Sequence, residues 1–557
     1  MRRVASGMTA LAAALTLAAC SATVPRPSQA GGDPEPSQAH REPETAPGRP
    51  EYLVFYAWGH KSQAKAAVER AGGTTLSDDT KLGYLLATGG DGFQTAVGDD
   101  PSVVGVTPDR SIGRTSGRFI TDPAALPDEQ AFTERNGEPL APRQWDMRMI
   151  GADRANTKVP GSRKVLVGVI DTGVDGKHPD IAPNFNRELS RNFVTDRPKD
   201  DYGETLDGPC EAPDCKDPVD VDDDGHGTHV ASTIASPING IGIAGVAPGV
   251  QIVNIRAGQD SGYFFLKPSM DALTYAADIG VDVVNMSYYV DPWLFNCRAN
   301  KSDTKKQQLE QRAIITGMQR AVDYARQRGV TLISALGNGS TDLGKPTIDR
   351  QSPGYPKGDE KTRQIDNSCI NVPAESKGVI SVSALGPSGR KAAYSDYGLE
   401  QTDVSAPGGD VLDGQGISAT RGILAAAPEH VLRATGRIGR DGKPKGADVV
   451  RDCTRGTCSY YQYLEGTSMA APHATGVAAI LISRFGKPGK GGLELAPDTV
   501  EKLLYKTATP KACPTPREYS YDSLGQNQKH LCEGGTSDNG FYGHGVVNAW
   551  KAATAEP

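Results

Sequence analysis

Four residues whose types can perform chemistry stand at the edges of predicted elements. Asp171 ends the aliphatic run VLVGVI and precedes Thr-Gly, and Asn338 follows the apolar run TLISALG. His226 opens a stretch of small residues in DGHGTHVA, and Ser468 lies in EGTSMAAPH, where the pattern predicts a helix start. Serine reacts near neutral pH only when an adjacent base takes its proton, and an oriented carboxylate keeps that base aimed. These residues therefore predict nucleophilic catalysis.

Each residue also has a purely structural interpretation when it is taken alone. Asp171-Thr-Gly is a common strand-to-turn sequence, and Asn338-Gly is an ordinary turn. His226 and His229 could be core or metal-binding histidines, and Ser468 could cap a helix. Their joint occurrence, in the chain order Asp, His, Ser, favours catalysis over coincidence.

Together these segments resemble the subtilisin-like serine peptidases, from about residue 144 to residue 549, where the resemblance closes with GFYGHGVVNA. The resemblance implies that Ser468 is the nucleophile and His226 the general base. Asp171 would fix the tautomer of the imidazole and stabilise its charge. Asn338 and the backbone amide of Ser468 would donate to the oxyanion, at a helix start whose dipole favours negative charge.

Two other hydrolase classes fit the sequence poorly. Asp-Thr-Gly is also the aspartic-peptidase motif, but that mechanism needs two such carboxylates, and the other candidate, Asp260-Ser-Gly, follows polar residues. The segment around Ser468 faintly resembles an α/β-hydrolase elbow, whose triad order is Ser, acid, His. The Asp and His motifs here lie upstream of the serine, so the order favours the subtilisin type.

The elements that must position these residues alternate along the chain. Apolar runs predict strands at residues 165–170, 252–255, 281–286, 330–335 and 379–382, with Ala-rich helical stretches between them. The pattern predicts an α/β fold with a mostly parallel central sheet and helices on both faces. In such sheets, the functional residues usually lie at the carboxyl ends of the strands.

The resemblance also implies a substrate site. Substrate backbone would add as a strand, and the side chain before the scissile bond would enter a pocket called S1. The residues implied are Ser287, Tyr288, Tyr289, Ser334, Ala335, Leu336 and Gly337, with Ser261-Gly262 on the opposite edge. The tyrosines depart from the small, Gly-rich pattern usual here and predict a narrower, more aromatic S1 entrance. Insertions at residues 196–221, 289–316, 339–371 and 411–463 either shape access or decorate the surface.

A structural calcium site is implied by the same resemblance. Hard cations take carbonyl, amide and carboxylate oxygens at flexible spacing. The ligands implied are Asp180, Pro237, Asn239, Ile241 and Ile243. The acidic run at residues 217–224 could bind a second cation, but a solvated charge run is the favoured interpretation.

The amino terminus predicts export. Residues 1–20 combine a basic start with an apolar run too short to span a bilayer, so they read as a signal peptide. The run ends in Leu-Ala-Ala-Cys20, which resembles the bacterial lipobox and implies a lipid on Cys20; an ordinary signal peptide is the alternative. We therefore expect the chain to be lipid-anchored at the outer face of the cell membrane, with release of the mature domain to the extracellular space as the open alternative.

The rest of the chain divides into four predicted segments. Residues 21–50 are Pro- and Ser-rich and predict a disordered tether. Residues 51–113 predict three strands and two helices, a small α+β unit that the resemblance interprets as a ferredoxin-like inhibitory propeptide. Residues 114–142 predict an exposed, cleavable linker, and residues 143–557 the peptidase domain. The precursor would be a zymogen that processes itself.

The 9 cysteines leave 8 for pairing once Cys20 is set aside. Eight cysteines allow 105 connectivities, and short loops favour the pairs Cys210 with Cys215, Cys453 with Cys458 and Cys513 with Cys532, which leaves Cys297 with Cys369. Metal ligation is the competing interpretation of the Cys-x4-Cys pairs, but no further cysteine or histidine joins them at zinc spacing.

The 557-residue chain has a formal net charge of -7 and no long Lys/Arg run, which argues against a nucleic-acid partner. We expect a monomeric serine endopeptidase acting on proteins or peptides. Two alternatives stay open: a maturation peptidase dedicated to one exported peptide, and a catalytically silent surface-binding protein with the same fold.

Overall fold

The structure is a computed structural model that describes residues 49–109, 137–199, 205–356, 358–521 and 528–556, and the backbone of 118–119. Residues from Arg49 onward pack as one compact unit. The signal peptide, Cys20, most of the tether and most of the linker lie outside the described residues.

The amino-terminal part forms a small sheet covered by two helices. Its elements are β1 (Glu51–Tyr56), α1 (Lys61–Arg70), β2 (Thr74–Asp79), β3 (Tyr84–Thr88), α2 (Phe93–Gly98) and β4 (Val103–Pro108). The sheet is antiparallel, in the order β2-β3-β1-β4. The sequence predicts three of these strands and both helices but not β2, because this mostly exposed edge strand has the polar sequence TTLSDD.

The remaining elements complete a larger α/β domain. In chain order they are β5 (Arg118–Phe119), α3 (Trp145–Ile150), α4 (Ala152–Ala155), β6 (Leu166–Ile170), β7 (Arg191–Asn192), α5 (His226–Ala235), β8 (Gln251–Arg256), α6 (Leu266–Ile279), β9 (Val283–Met286), α7 (Lys305–Gln327), β10 (Thr331–Ala335), β11 (Ile348–Asp349), β12 (Arg363–Gln364), β13 (Ile380–Leu385), β14 (Val404–Pro407), β15 (Ile423–Ala426), α8 (Glu429–Ala434), β16 (Val449–Asp452), β17 (Ser459–Glu465), α9 (Thr467–Phe485), β18 (Lys487–Pro488), β19 (Leu493–Glu494), α10 (Pro497–Thr507), β20 (Glu518–Tyr521), β21 (Gln528–Leu531) and α11 (Ala549–Thr554).

A seven-stranded parallel sheet, ordered β14-β13-β10-β9-β6-β8-β7, forms the centre of this domain. The predicted parallel sheet is therefore confirmed. The chain runs from β6 toward β8 at one side and then crosses to β9 at the other. Its strand order thus reverses at β6, and a crevice at the carboxyl ends of strands is expected at such a point.

Helices cover both faces of the sheet, as predicted. Helices α5, α9, α10 and α11 contribute to one hydrophobic core, and α6 and α7 contribute to the other. Every residue of α9 from Thr467 to Ile482 is buried. A second, antiparallel sheet of β15, β17 and β16 leads into α9, and the short β5 pairs with the end of β17. The nucleophile candidate thus lies in the first turn of a helix that is buried along most of its length.

The amino-terminal sheet docks on α7. A Cβ added to Gly105 of β4 would lie 2.5 Å from the backbone nitrogen of Ala313, so the strand contacts the helix backbone directly. Leu309 of α7 is fully buried in the hydrophobic core of the small domain. Arg320 donates to the carbonyl oxygens of Leu82, Gly83 and Tyr56, each at 2.9 Å, and its guanidinium lies 4.4 Å from the ring centroid of Trp58. Packing and charged hydrogen bonds therefore hold the two parts together.

Four disulfides join the three pairs that the short-loop argument favoured and the pair that it left over. They are Cys210–Cys215, Cys297–Cys369, Cys453–Cys458 and Cys513–Cys532. Among the described residues, no helix combines the length and the apolar character needed to cross a bilayer.

Candidate active site

The structure brings Asp171 and His226 into direct contact. Asp171 follows β6, and His226 is the first residue of α5. Their close approach depends on Gly227, because a Cβ there would lie 2.1 Å from the carbonyl oxygen of Gly173. Nδ1 of His226 donates to Oδ1 of Asp171 at 2.7 Å, and both side chains are buried. The backbone N–H of Thr172 donates to the same carboxylate oxygen at 2.8 Å and holds it in place.

The charges around His226 favour its protonated form. Burial alone would lower its pKa, but the charge and hydrogen bond of Asp171, with Asp224 and Asp222 beyond, raise the pKa of His226 to about 9. An imidazole stabilised as a cation suits a base that must hold a proton during acyl transfer. Nε2 of His226, the atom that must accept this proton, is buried and has no hydrogen-bond partner among the described residues.

Ser468 lies in the first turn of α9, where backbone N–H groups are free to bind an anion. Its hydroxyl donates to the carbonyl oxygen of Ser287 at 3.2 Å, and the hydroxyl of Ser287 donates to the carbonyl oxygen of Ser468 at 3.0 Å. Asn285 supports Ser287 through a bond from Nδ2 to its hydroxyl at 2.8 Å. The nucleophile therefore rests against the strand expected to bind substrate.

Asn338 is oriented by the residue before the nucleophile. Its Oδ1 accepts hydrogen bonds from the backbone N–H and the hydroxyl of Thr467, both at 2.9 Å. The same hydroxyl accepts from the backbone N–H of Gly337 at 3.1 Å. Because Oδ1 is engaged in this way, the amide presents Nδ2 as its donor beside the start of α9. This is the arrangement expected of an oxyanion hole.

The match to known sequences covers this whole catalytic core. Residues 162–545 match the family model described as "Subtilase family". The chain belongs to the subtilase family. Asp171, His226, Asn338 and Ser468 all lie within the matched residues, so this subtilase has the residue types of a complete serine endopeptidase site.

The curated relatives share low sequence identity with this chain over long alignments. The subtilase is 28% identical to fervidolysin of Fervidobacterium pennivorans over 389 residues, which is 67% of this chain and 41% of the relative. It is 25% identical to subtilisin DY of Bacillus licheniformis over 409 residues, 73% of this chain and 98% of the relative. The chain spans only 41% and 55% of the length of fervidolysin and of the thermophilic serine proteinase of Bacillus sp. strain AK1.

Solved structures share the fold. The epidermin leader peptide processing serine protease of Staphylococcus aureus gives a TM-score of 0.57 at 22% identity, covering 91% of this chain and 98% of its own. The fervidolysin structure gives 0.55 at 23% identity, covering 91% and 61%.

A cavity of about 210 Å³ opens beside Asn338 of the subtilase. Of the predicted substrate residues, Tyr288, Tyr289, Ala335 and Gly337 line it. The side chains of Ser334 and Leu336 do not line it, because alternate residues of a strand face opposite ways. Leu336 is fully buried against Phe295 and the Cys297–Cys369 pair, and Ser287 contributes through its bonds to Ser468 instead.

Four lining residues were not predicted: Leu294, Gly339, Gln351 and Asn371. All of them come from the two insertions at residues 289–316 and 339–371, so these insertions shape the cavity. Tyr288 stacks on Phe264, with ring centroids 4.1 Å apart and planes at 4°. This stack ties the segment after β9 to the segment after Ser261-Gly262, the opposite edge that the sequence suggested.

The loop expected to bind calcium lies around Asp180, but the side-chain amide of Asn239 has the opposite orientation to the one that calcium binding requires. The carboxylate of Asp180 accepts from Nδ2 of Asn239 at 3.2 Å, the N–H of Ile243 at 3.1 Å and the hydroxyl of Tyr461 at 3.1 Å. Asn239 therefore turns its amide nitrogen toward Asp180, whereas a calcium ligand must present oxygen. Sequence reasoning missed Tyr461 and also Glu138, which accepts from the N–H of Gly240 at 3.0 Å.

The interpretation of residues 217–224 as a solvated charge run is wrong. Asp217, Asp220 and Asp222 are buried. Asp222 accepts from Thr172 and Thr228, so it braces the segment after β6 against α5. Asp217, Asp196 and Asp260 surround the fully buried Arg256, which donates to all three. The guanidinium therefore stands where a second cation could otherwise bind.

Proposed function

We propose that this subtilase is an exported, lipid-tethered serine endopeptidase that is made as a zymogen and hydrolyses peptide bonds through an acyl-enzyme. The observation that carries the proposal is the 2.7 Å bond between Nδ1 of His226 and Oδ1 of Asp171, at the end of β6. The neighbouring strand β9 leads to Ser287, which contacts Ser468. Asp171 fixes the imidazole tautomer, so Nε2 is left as the base for Ser468.

The remaining groups act on the charge that forms during the reaction. When Ser468 attacks, the carbonyl oxygen of the substrate becomes an oxyanion, which Nδ2 of Asn338 and the N–H of Ser468 stabilise. His226 then returns the proton to the leaving amine. Water then attacks the acyl-enzyme while His226 takes its proton. The acid product is released as this proton passes to the oxygen of Ser468.

A phosphonate probe tests this proposal. We expect covalent labelling at Ser468 in the processed protein and none in Ser468→Ala. Lack of labelling in correctly folded, processed protein would favour the alternative of a silent surface-binding protein. Asn338→Ala serves as a second variant, since it should react more slowly while keeping the nucleophile.

The proposal of a zymogen is supported by the pairing of β5 with β17. Arg118 lies opposite Glu465 and Phe119 opposite Leu464, in antiparallel register. Glu465 precedes Ser468 by three residues, so β5 lies beside the segment that leads into the nucleophile. We therefore place the proposed self-cleavage next to β5, within residues 114–118. The docking of the small domain on α7 supports its role as an inhibitor.

Amino-terminal sequencing of the processed protein tests the cut. We expect a first residue within 115–119 for the active chain and an intact precursor for Ser468→Ala.

The same two proteins test the anchor, because a lipid on Cys20 lies on the propeptide side of the cut. Equal membrane retention of both after washing without detergent would overturn release by processing.

A structural calcium ion near Asp180 is part of the proposal. The carboxylates of Asp180 and Glu138 are both buried, and burial raises the pKa of each, with Glu138 contributing to the shift of Asp180. Such a pair fits a hard cation, which would favour their ionised forms. Asp180, Glu138 and carbonyls of the loop would hold it, and Asn239 would have to turn its oxygen inward.

The calcium proposal predicts a cation-dependent melting temperature. With Ser468→Ala protein, which cannot digest itself, we expect excess calcium to raise the Tm relative to EDTA, because a ligand of the native state stabilises it. Glu138→Gln should reduce this difference. An equal Tm in calcium and EDTA would overturn the proposal.

A second candidate function is the maturation of one exported peptide. The solved structures similar to this chain include the epidermin leader peptide processing protease and the nisin leader peptidase of Lactococcus lactis, the latter with a TM-score of 0.50. Cleavage of a peptide library by the processed protein distinguishes the two functions. Broad cleavage favours a general endopeptidase, and one extended recognition sequence favours a maturation enzyme.

A further inference from the structure

The cavity beside Asn338 has a polar inner wall. Asn371 lines it and is 97% buried, given a relative exposure of 3%, and its Oδ1 is buried without a hydrogen-bond partner among the described residues. A buried amide oxygen without a partner loses hydration without compensation. A substrate group that donates a hydrogen bond to this oxygen would therefore be favoured over an apolar one.

Two carboxylates stand behind the same wall. Oε2 of Glu375 accepts from the backbone N–H of Asn371 at 2.6 Å. Oδ1 of Asp396 accepts from the N–H of Thr341 at 2.7 Å, and its Oδ2 presses on Gly337, where a Cβ would lie only 2.2 Å away. Gly337 has a φ of +130°, which glycine tolerates best. Residues 337 and 371 thus separate the cavity from Asp396 and Glu375.

The two carboxyl groups behind the wall become fully charged only at alkaline pH. Burial raises the pKa of Glu375 to about 8, with Asp396 adding to the shift. Burial raises the pKa of Asp396 to about 7, and the nearby Lys391 opposes this. Lys391 is itself buried and donates to the carbonyl oxygens of Ala392 and Ser395. No basic residue lines the cavity itself in the described part of the chain.

We propose that this cavity is an S1 pocket selective for lysine or arginine, whose N–H groups are received by Oδ1 of Asn371 in front of the Glu375 and Asp396 carboxylates. The inference rests on the proposed endopeptidase function. A cationic side chain satisfies the buried oxygen and, at alkaline pH where both carboxyl groups are ionised, adds favourable Coulomb energy with them across a region of low dielectric. Neutral or apolar side chains supply only one of these effects or neither.

Fluorogenic peptides that differ only in the residue before the scissile bond test the proposal. The set is arginine, lysine, citrulline, glutamine, leucine and phenylalanine. We expect kcat/KM to be highest for arginine and lysine, and about tenfold or more lower for citrulline, which keeps the shape of arginine but lacks its charge. The highest value for leucine or phenylalanine, or equal values for arginine and citrulline, would overturn the proposal.

The variant Asn371→Leu assigns the effect to the amide. We expect kcat/KM for arginine and lysine peptides to fall about tenfold or more, while the leucine peptide is cleaved as well as before or better. Asn367→Leu, an exposed asparagine in the same segment, is the matched control and should keep the arginine preference. An unchanged ratio of arginine to leucine in Asn371→Leu would overturn the assignment. Labelling of Ser468 by the phosphonate in a separate sample first establishes the proposed endopeptidase function. A failure of the predicted specificity is then distinguishable from a failure of that function.

Discussion

The hydroxyl of Ser468 donates to the backbone carbonyl of Ser287, 3.2 Å away, and not to His226. In this state the nucleophile rests on the β9 side of the site while Nε2 of His226 has no partner in the described part of the chain. Proton transfer to His226 therefore requires the hydroxyl to leave Ser287. We expect substrate backbone to pair beside that strand. Its scissile carbonyl carbon would then lie within reach of the Ser468 hydroxyl once this hydroxyl has left Ser287.

The pKa of His226 predicts an alkaline pH dependence. The base must be neutral to accept a proton, and the pKa of about 9 keeps it largely protonated at neutral pH. We expect kcat/KM to rise with pH along a limb set by His226, well above the ordinary histidine value near 6.5. The check is a pH profile normalised to the active sites titrated by the phosphonate. A limb at or below that ordinary value would contradict the prediction.

Removal of the Asp171 charge should act on the same limb. In Asp171→Asn we expect kcat to fall by about 10⁴-fold, because the imidazole loses its oriented acceptor, and we expect the limb to move to lower pH. The profile is measured with the same peptide. A large loss of kcat without any movement of the limb would show that another group controls the titration.

Thr467 is predicted to act as a positioning residue for the oxyanion donor. Thr467→Val removes the hydroxyl that contacts Asn338 and Gly337, and we expect kcat to fall by about tenfold with little change in KM. Thr467→Ser keeps the hydroxyl and should restore most of kcat. Asn338→Ala sets the scale, with an expected loss of about 10²–10³-fold. Equal losses in the Val and Ser variants would point to packing instead.

Arg320 is predicted to hold the small domain on α7. Its three hydrogen bonds to carbonyl oxygens are lost in Arg320→Ala, so amide exchange in β1 and β3 should become about tenfold faster or more in the Ser468→Ala background. Arg326→Ala is the control on the same helix, since Arg326 contacts Gly378 and Asp498 of the larger domain. Unchanged exchange in Arg320→Ala would show that packing alone holds the small domain.

The Cys297–Cys369 disulfide is predicted to stabilise both the fold and the cavity. It joins residues 72 positions apart, and chain entropy predicts a loss of about 4 kcal/mol when both cysteines become serine, against about 2 kcal/mol for Cys210–Cys215. Denaturant unfolding of the Ser468→Ala protein measures both. Because Asn371 follows Cys369 closely, the first pair of changes should also weaken the arginine preference in active enzyme. Equal losses of stability would contradict the loop-length argument.

The catalytic residues could be predicted from local motifs. The cavity-lining residues that the sequence did not predict come from distant parts of the chain. Asp171, His226 and Ser468 each lie where an element begins or ends, so short segments of sequence predict both their types and their positions. Asn371 and Gln351 line the cavity because insertions fold back onto it. No local pattern indicates which residue of an insertion will face a site.

The same limit applies to charge. The run from Asp217 to Asp224 resembles a solvated surface segment, because its partners are far away in sequence. Arg256 and Thr172 become its neighbours only after β6, β8 and α5 assemble. Sequence patterns predict the parallel sheet well, because strands buried on both faces must be apolar throughout. They do not predict the partners of buried polar groups.

Leu309 has a consequence for the fate of the small domain. This side chain belongs to the peptidase yet completes the apolar interior of residues 51–108. If the proposed self-cleavage frees this domain, Leu309 stays behind and the surface that it covered becomes exposed. On that proposal the freed domain would be less stable than the docked one and more easily digested. Release would then be a one-way step, in which the inhibitor is consumed and cannot rebind.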